Sequence, residues 1–123
     1  MKFKKVIALS LLSVFSLSVF SQKKEVKITS EKITENIYML RGQGGNIGIY
    51  VGKEDVFMID DQFAPLTTKI ISKIKEITNK PIKYLVNTHW HGDHTGGNEN
   101  LKKEGVLIFS QENVRKRMSV DQV

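Results

Sequence analysis

Thr88-His89-Trp90-His91-Gly92-Asp93-His94-Thr95-Gly96-Gly97-Asn98 is the stretch on which the reading of this chain turns, and it holds all three histidines of the 123-residue sequence. In extended backbone, side chains at i and i+2 point to the same side, so His89 and His91 can present two imidazoles to one metal ion. Gly92 frees the backbone to turn. Asp93 and His94 can then face a neighbouring position, where a carboxylate and an imidazole suit a second ion. These are the donors zinc takes where no thiolate is on offer, and the chain has no cysteine. A solvated polar loop is the plainer reading of a single histidine. Three histidines and an aspartate in this register favour a metal, and the spacing is too irregular for a His-rich tract. Gly96-Gly97 is expected to let backbone amides at a helix start approach an anion.

Outward from the loop, short apolar runs alternate with amphipathic ones. Residues 82–86 read as a buried strand that feeds the loop, and in a helix-covered sheet ligands gather at the C-terminal ends of strands. Upstream, Leu66, Ile70, Ile74 and Ile77 share one helical stripe, with Lys69, Lys73, Lys75 and Glu76 off it. Pro65 can open that helix, and Asn79-Lys80-Pro81 stops it. Runs 46–51 and 56–59, split by Gly52-Lys53-Glu54-Asp55, read as a hairpin whose second strand ends in the adjacent acids Asp60 and Asp61. Residues 26–29 and 37–40 read as strands. Gly42, Gly44 and Gly45 make a flexible loop; Gly44, Gly45 and Asn46 are either part of a mobile loop near the site or, more simply, the entry to the hairpin. Downstream come a short helix at 99–103 ending at Gly105, a strand at 106–109 and a helix at 111–118, while 87–98 reads as loop throughout. This order predicts an α+β fold, a mixed sheet with helices on one side.

The first 21 residues read as an export signal. Lys2, Lys4 and Lys5 form a positive start, residues 6–20 are uncharged and apolar, and Val19-Phe20-Ser21 offers a cleavage site before Gln22-Lys23-Lys24. The apolar run is short for a membrane span, which needs about 20 residues. The mature protein is therefore expected to span residues 22–123, periplasmic or secreted, with no stable membrane insertion after cleavage. The whole chain carries 19 basic and 13 acidic residues, three of the basic ones in the signal. The small remaining excess gives no case for nucleic acid, and Arg115-Lys116-Arg117 reads as a solvated helix face. The lack of cysteine excludes disulfide scaffolds and thiol catalysis.

The pattern His89-x-His91-x-Asp93-His94 resembles the signature of the metallo-β-lactamase-fold superfamily, and the hairpin, helix, strand and histidine loop follow the order of that fold's N-terminal half. Residues 46–117, with Asp60-Asp61-Gln62-Phe63-Ala64-Pro65-Leu66, are particularly similar to its secreted bacterial metallo-hydrolases. The resemblance implies that His89 and His91 bind a first Zn2+ and Asp93 and His94 a second. It implies that Asp93 also orients the attacking water, and that Asp60 stands behind the ligands and orients one of them. Asp61 is expected to be solvated. Trp90 either walls a substrate pocket or packs on the sheet. The complete fold is an αββα sandwich of two similar halves, whose second half brings further histidines and a bridging carboxylate. No histidine follows His94, so the chain is expected to be the N-terminal half, with one apolar sheet face left open and a complementary C-terminal half as a candidate partner. The implied function is hydrolysis of a small-molecule ester, thioester, amide or phosphoester. The narrower alternatives are β-lactam hydrolysis and a non-catalytic metal-binding fragment.

Overall fold

The alternation of apolar residues along four consecutive runs builds a meander, and a helix then carries the chain back to extend it with parallel strands. The computed structural model describes residues 24–120; the export-signal reading lies outside them. The strands are β1 (Thr29–Lys32), β2 (Ile37–Arg41), β3 (Ile47–Val51), β4 (Val56–Ile59), β5 (Ile82–Asn87) and β6 (Leu107–Ser110). They lie in one sheet in chain order. Pairs β1 to β4 are antiparallel, whereas β4, β5 and β6 are parallel. The helices are α1 (Thr67–Ile77), α2 (Gly92–Thr95), α3 (Asn98–Lys103) and α4 (Glu112–Met118), with a 3-10 turn at Ala64–Leu66 leading into α1.

Register fixes what each face carries. Tyr38, Ile49, Met58, Leu85 and Ile108 are paired across the sheet in one row. Leu40, Ile47, Ile49, Met58 and Leu85 form one buried cluster with Leu66, Ile70 and Ile74 from the α1 region and Leu101 from α3. The α1 stripe was legible because its apolar residues recur at helical spacing. Pro65 sits in the 3-10 turn, and the helix stops where Thr78 turns extended. Gly105, at φ +87°, lets the chain leave α3 towards β6.

On the other face, Ile37, Tyr50, Phe57, Tyr84 and Leu107 form one row and Met39, Gly48, Ile59, Val86 and Phe109 the next. No helix covers these rows among the described residues. Tyr50, Ile59, Leu107 and Phe109 are between 41% and 52% exposed, a contiguous apolar surface. The open face expected from sequence is present.

Two elements differ from expectation. The first strand lies at Thr29–Lys32, not 26–29. Ile28 is buried in the core, but backbone pairing starts only at Thr29, so the apolar residues marked burial and not the ladder. β1 is an exposed edge of Thr, Ser, Glu and Lys, the polar composition that discourages further pairing. The 87–98 loop also contains a helical turn, α2, which carries Asp93 and His94.

Candidate metal centre

Parallel strands β4 and β5 end side by side, tied where Asp60 N donates to Val86 O at 2.9 Å. From this edge β4 delivers Asp60-Asp61-Gln62 and β5 delivers the histidine loop. The loop turns because His91 stays extended while Gly92–Thr95 coils. His91 O then accepts from His94 N at 2.9 Å and Thr95 N at 3.1 Å.

Asp60 is buried and its carboxylate is fully engaged. Thr88 N donates to Oδ1 at 2.8 Å, and Thr88 Oγ1 donates to Oδ2 at 2.7 Å. His94 Nδ1 also lies 2.7 Å from Oδ2. A carboxylate only accepts, so His94 carries its proton on Nδ1 and keeps its lone pair on Nε2. The Thr88 hydroxyl proton is spent on Asp60, so its oxygen accepts from His89 Nδ1 at 3.0 Å. This leaves the His89 lone pair on Nε2 as well. One carboxylate thus sets the tautomer of two imidazoles, one directly and one through Thr88.

The rings converge. His89 and His94 centroids are 3.9 Å apart, and those of His89 and His91 4.7 Å. Asp93 Oδ2 lies 3.5 Å from His94 Nε2. The tightest set of donor atoms, all within 4.8 Å of one another, is Asp60, His89 and His94. His91 and Asp93 stand outside that triad: His91 is exposed with its ring edge-on to His89 and Trp90, and Asp93 is half-buried beside His94. Because three hydrogen bonds already occupy its oxygens, Asp60 is placed to orient the imidazoles. Trp90 is half-buried, with its ring against His91 and Arg117 of α4 5.6 Å from its centroid.

Behind the histidine loop lies a polar floor that the sequence did not announce. His94 O accepts from Asp61 N and from Asn87 Nδ2, both at 3.1 Å, and Asn98 Nδ2 donates to Asn87 Oδ1 at 2.8 Å. Asp61 is not solvated: it is 1% exposed, with Oδ1 accepting from Gly97 N at 3.1 Å and Oδ2 without a partner. Burial pushes its carboxyl up to about 7, helped by the neighbouring Asp60 charge and opposed by the Gly97 hydrogen bond and by His94. The Gly97 amide therefore has no room for an external anion, since Asp61 Oδ1 and Gln62 O already take it. A Cβ on Gly97 would stand 3.0 Å from Asp61 Cγ, which explains the glycine. The signal available in sequence was three polar residues, Asp60-Asp61-Gln62, directly after a buried strand.

The site fits zinc on its donor chemistry: imidazole lone pairs fixed away from Asp60, a carboxylate beside them and no thiolate. A glycine cradle adjoins it. A Cβ on Gly44 would lie 2.6 Å from Asp93 Cβ, and one on Gly45 2.5 Å from His94 Nε2.

The profile of the Metallo-beta-lactamase superfamily matches residues 40–107, and the chain belongs to that superfamily. Its members are hydrolases that generally bind metal, usually zinc. The chain is similar to the alkyl/aryl-sulfatase BDS1 of Saccharomyces cerevisiae, 34% identical over 59% of this chain and 12% of that protein. It is similar to the hydroxyacylglutathione hydrolase of Pelagibacter ubique, 45% identical over 44% of this chain and 23% of that protein. Its fold superposes on the metallo-beta-lactamase FIM-1 from Pseudomonas aeruginosa in the mono-zinc form, with a TM-score of 0.71, 25% identity and coverage of 80% of this chain and 48% of that one. The chain thus spans less than a quarter of those two curated relatives and about half of the solved structure.

Proposed function

We propose that this chain is the metal-binding part of an exported zinc-dependent hydrolase that uses water to cleave an ester, thioester, amide or phosphoester. The observation that carries the reading is the Asp60–Thr88–His89/His94 network, which turns the Nε2 of both imidazoles away from Asp60 while their ring centroids lie 3.9 Å apart. His89 and His91 would hold one ion, and Asp93 and His94 a second. Zinc bound there supplies Lewis acidity and brings the pKa of water down to about 7. Asp60, directly and through Thr88, holds the proton of each imidazole on Nδ1, so that Nε2 is the nitrogen each would turn to an ion. Asp93 is placed at the rim of the cluster, where its carboxylate can accept a hydrogen bond from the attacking water and orient it. Trp90, braced by His91 and Arg117, supplies a flat apolar wall beside the cluster.

The matched relatives' names cover a sulfatase, a hydroxyacylglutathione hydrolase and a β-lactamase, a range that supports a common water-activating centre over any single substrate. β-Lactam hydrolysis is the narrower reading, favoured by the superposition on FIM-1. The open sheet face supports a complementary α/β half as the partner that completes the site. The exported location rests on residues 1–21 and is tested by N-terminal sequencing of secreted material, which should begin near Gln22.

The test of the function is zinc content by elemental analysis after reconstitution, followed by a panel of thioester, phosphodiester, sulfate-ester and β-lactam substrates. Bound zinc that is lost in a His89→Ala, His94→Ala double variant supports the reading; reconstituted protein that retains no metal refutes it.

A further inference from the structure

Gln62 is an unusual residue for its position. It is completely buried and holds φ +58°, in the left-handed region where glycine is unstrained and other residues are not. Such strain persists where the surroundings require that side chain. What its side chain does is visible at both ends of the amide. Oε1 accepts from Gln43 N at 3.2 Å, and Nε2 donates to Gly45 O. The loop of residues 42–46 is therefore pinned by one buried amide, and its polar groups face a residue 17 to 19 positions away in sequence.

The pinned loop lies on the two residues assigned to the second ion. Gly44 approaches Asp93 closely enough that a Cβ would stand 2.6 Å from Asp93 Cβ. At Gly45 a Cβ would stand 2.5 Å from both Cε1 and Nε2 of His94. Gly44 is also at φ +87°. On the opposite side His94 is fixed by Asp60 at Nδ1 and by Asp61 and Asn87 at its carbonyl. His94 is thus held between the polar floor and the glycine loop, and Gln62 sets how closely the loop sits.

We propose that Gln62 is a positioning residue for the Asp93/His94 metal position: it holds Gly44 and Gly45 against these two ligands and fixes their side-chain placement, while His89 and His91 depend on it little. The inference rests on the zinc reading above and deepens it. A residue serving only the core would, when altered, weaken every ligand alike. A residue that positions one ligand pair separates the two.

The experiment is a Zn2+ titration of the full chain, followed by imidazole NMR so that each histidine reports separately. The variants are Gln62→Leu, which removes both hydrogen bonds at similar volume, and Gly45→Ala, which crowds His94 from the loop side and leaves the buried amide intact. In both, the midpoint of the His94 response is expected to move to at least about tenfold higher zinc, the lower end of what loss of a ligand's support costs. The His89 and His91 midpoints should stay within about twofold of wild type, well below that same range. Amide exchange at Gln43 and Gly45 should rise in Gln62→Leu. An unchanged His94 midpoint in Gln62→Leu, or equal shifts at all three histidines, overturns the positioning role and leaves the metal centre standing. Wild-type protein in which no histidine responds to zinc removes the metal reading, and this inference with it. Should Gln62→Leu fail to fold, Gln62→Gly, which removes the same amide and suits the positive φ, takes its place under the same criteria.

Discussion

Replacing Asp61 by Asn isolates the buried carboxylate behind the histidine loop. In the folded chain its carboxyl titrates at about 7, against 3.8 as the ordinary value. Between these limits the native state holds a proton that the unfolded chain has released. The unfolded state then binds fewer protons, so stability falls as pH rises from about 4 to 7 and levels off above. At about 1.4 kcal/mol per unit, the full difference is on the order of 4 kcal/mol of destabilisation at neutral pH. Asn keeps an acceptor for the Gly97 amide and removes the charge, at a cost of about 1–3 kcal/mol for a buried NH2 without an acceptor. Asp61→Asn should therefore be more stable than wild type at pH 7.5, with a flatter profile between pH 5 and 7. Urea melts of metal-free protein across pH 4–8 measure both. The carboxyls of Glu25, Glu99 and Glu112 are lowered by Lys69, Lys103 and Arg115, so their effects fall at more acidic pH, and the difference between wild-type and variant profiles is what reports Asp61. Parallel pH profiles for the two proteins, or a variant less stable at pH 7.5, would refute the claim that burial governs this carboxyl.

Asp60→Asn should weaken zinc binding by about 10- to 100-fold, because an amide cannot accept from Thr88 and His94 as a carboxylate does; competition with a chromophoric chelator measures it, and unchanged affinity would mean that the imidazoles orient themselves. Ile74→Ala empties a fully buried position of the α1 stripe and should cost about 2–5 kcal/mol in a denaturant melt. Leu107→Lys with Phe109→Lys places two charges on the open sheet face; sedimentation velocity should show less concentration-dependent association than in wild type, with little change in Tm, since exposed substitutions cost within about 0.5 kcal/mol.

The metal loop was legible because its information is local. Three imidazoles and a carboxylate fall within six positions, and a strand delivers them to a sheet end, where His89 and His94 draw together with Asp60 while His91 and Asp93 stand at the edge. The α1 stripe and the β3–β4 hairpin were legible for the same reason, each being a period or a turn written in consecutive residues. What failed was non-local. Asp61 looks like any polar residue after a strand, and it is buried only because Gly97, 36 positions on, closes over it. Val26 and Ile28 looked like a strand because apolar side chains record burial, while the ladder is set by where β2 runs alongside.

The same contrast explains why the strain sits where it does. Asp60 and Gln62 are the two non-glycine residues at positive φ among the described residues, and they flank Asp61 in one turn. Glycine at either position would relieve about 1–2 kcal/mol of backbone strain. It would also delete the carboxylate that orients His89 and His94, or the amide that holds the loop on Asp93 and His94. Left-handed backbone at alternate positions sends three successive side chains in three directions, to the histidine loop, to the floor and to the glycine loop. A regular strand would send the first and third to the same face, and could not reach both sides of His94 from one segment.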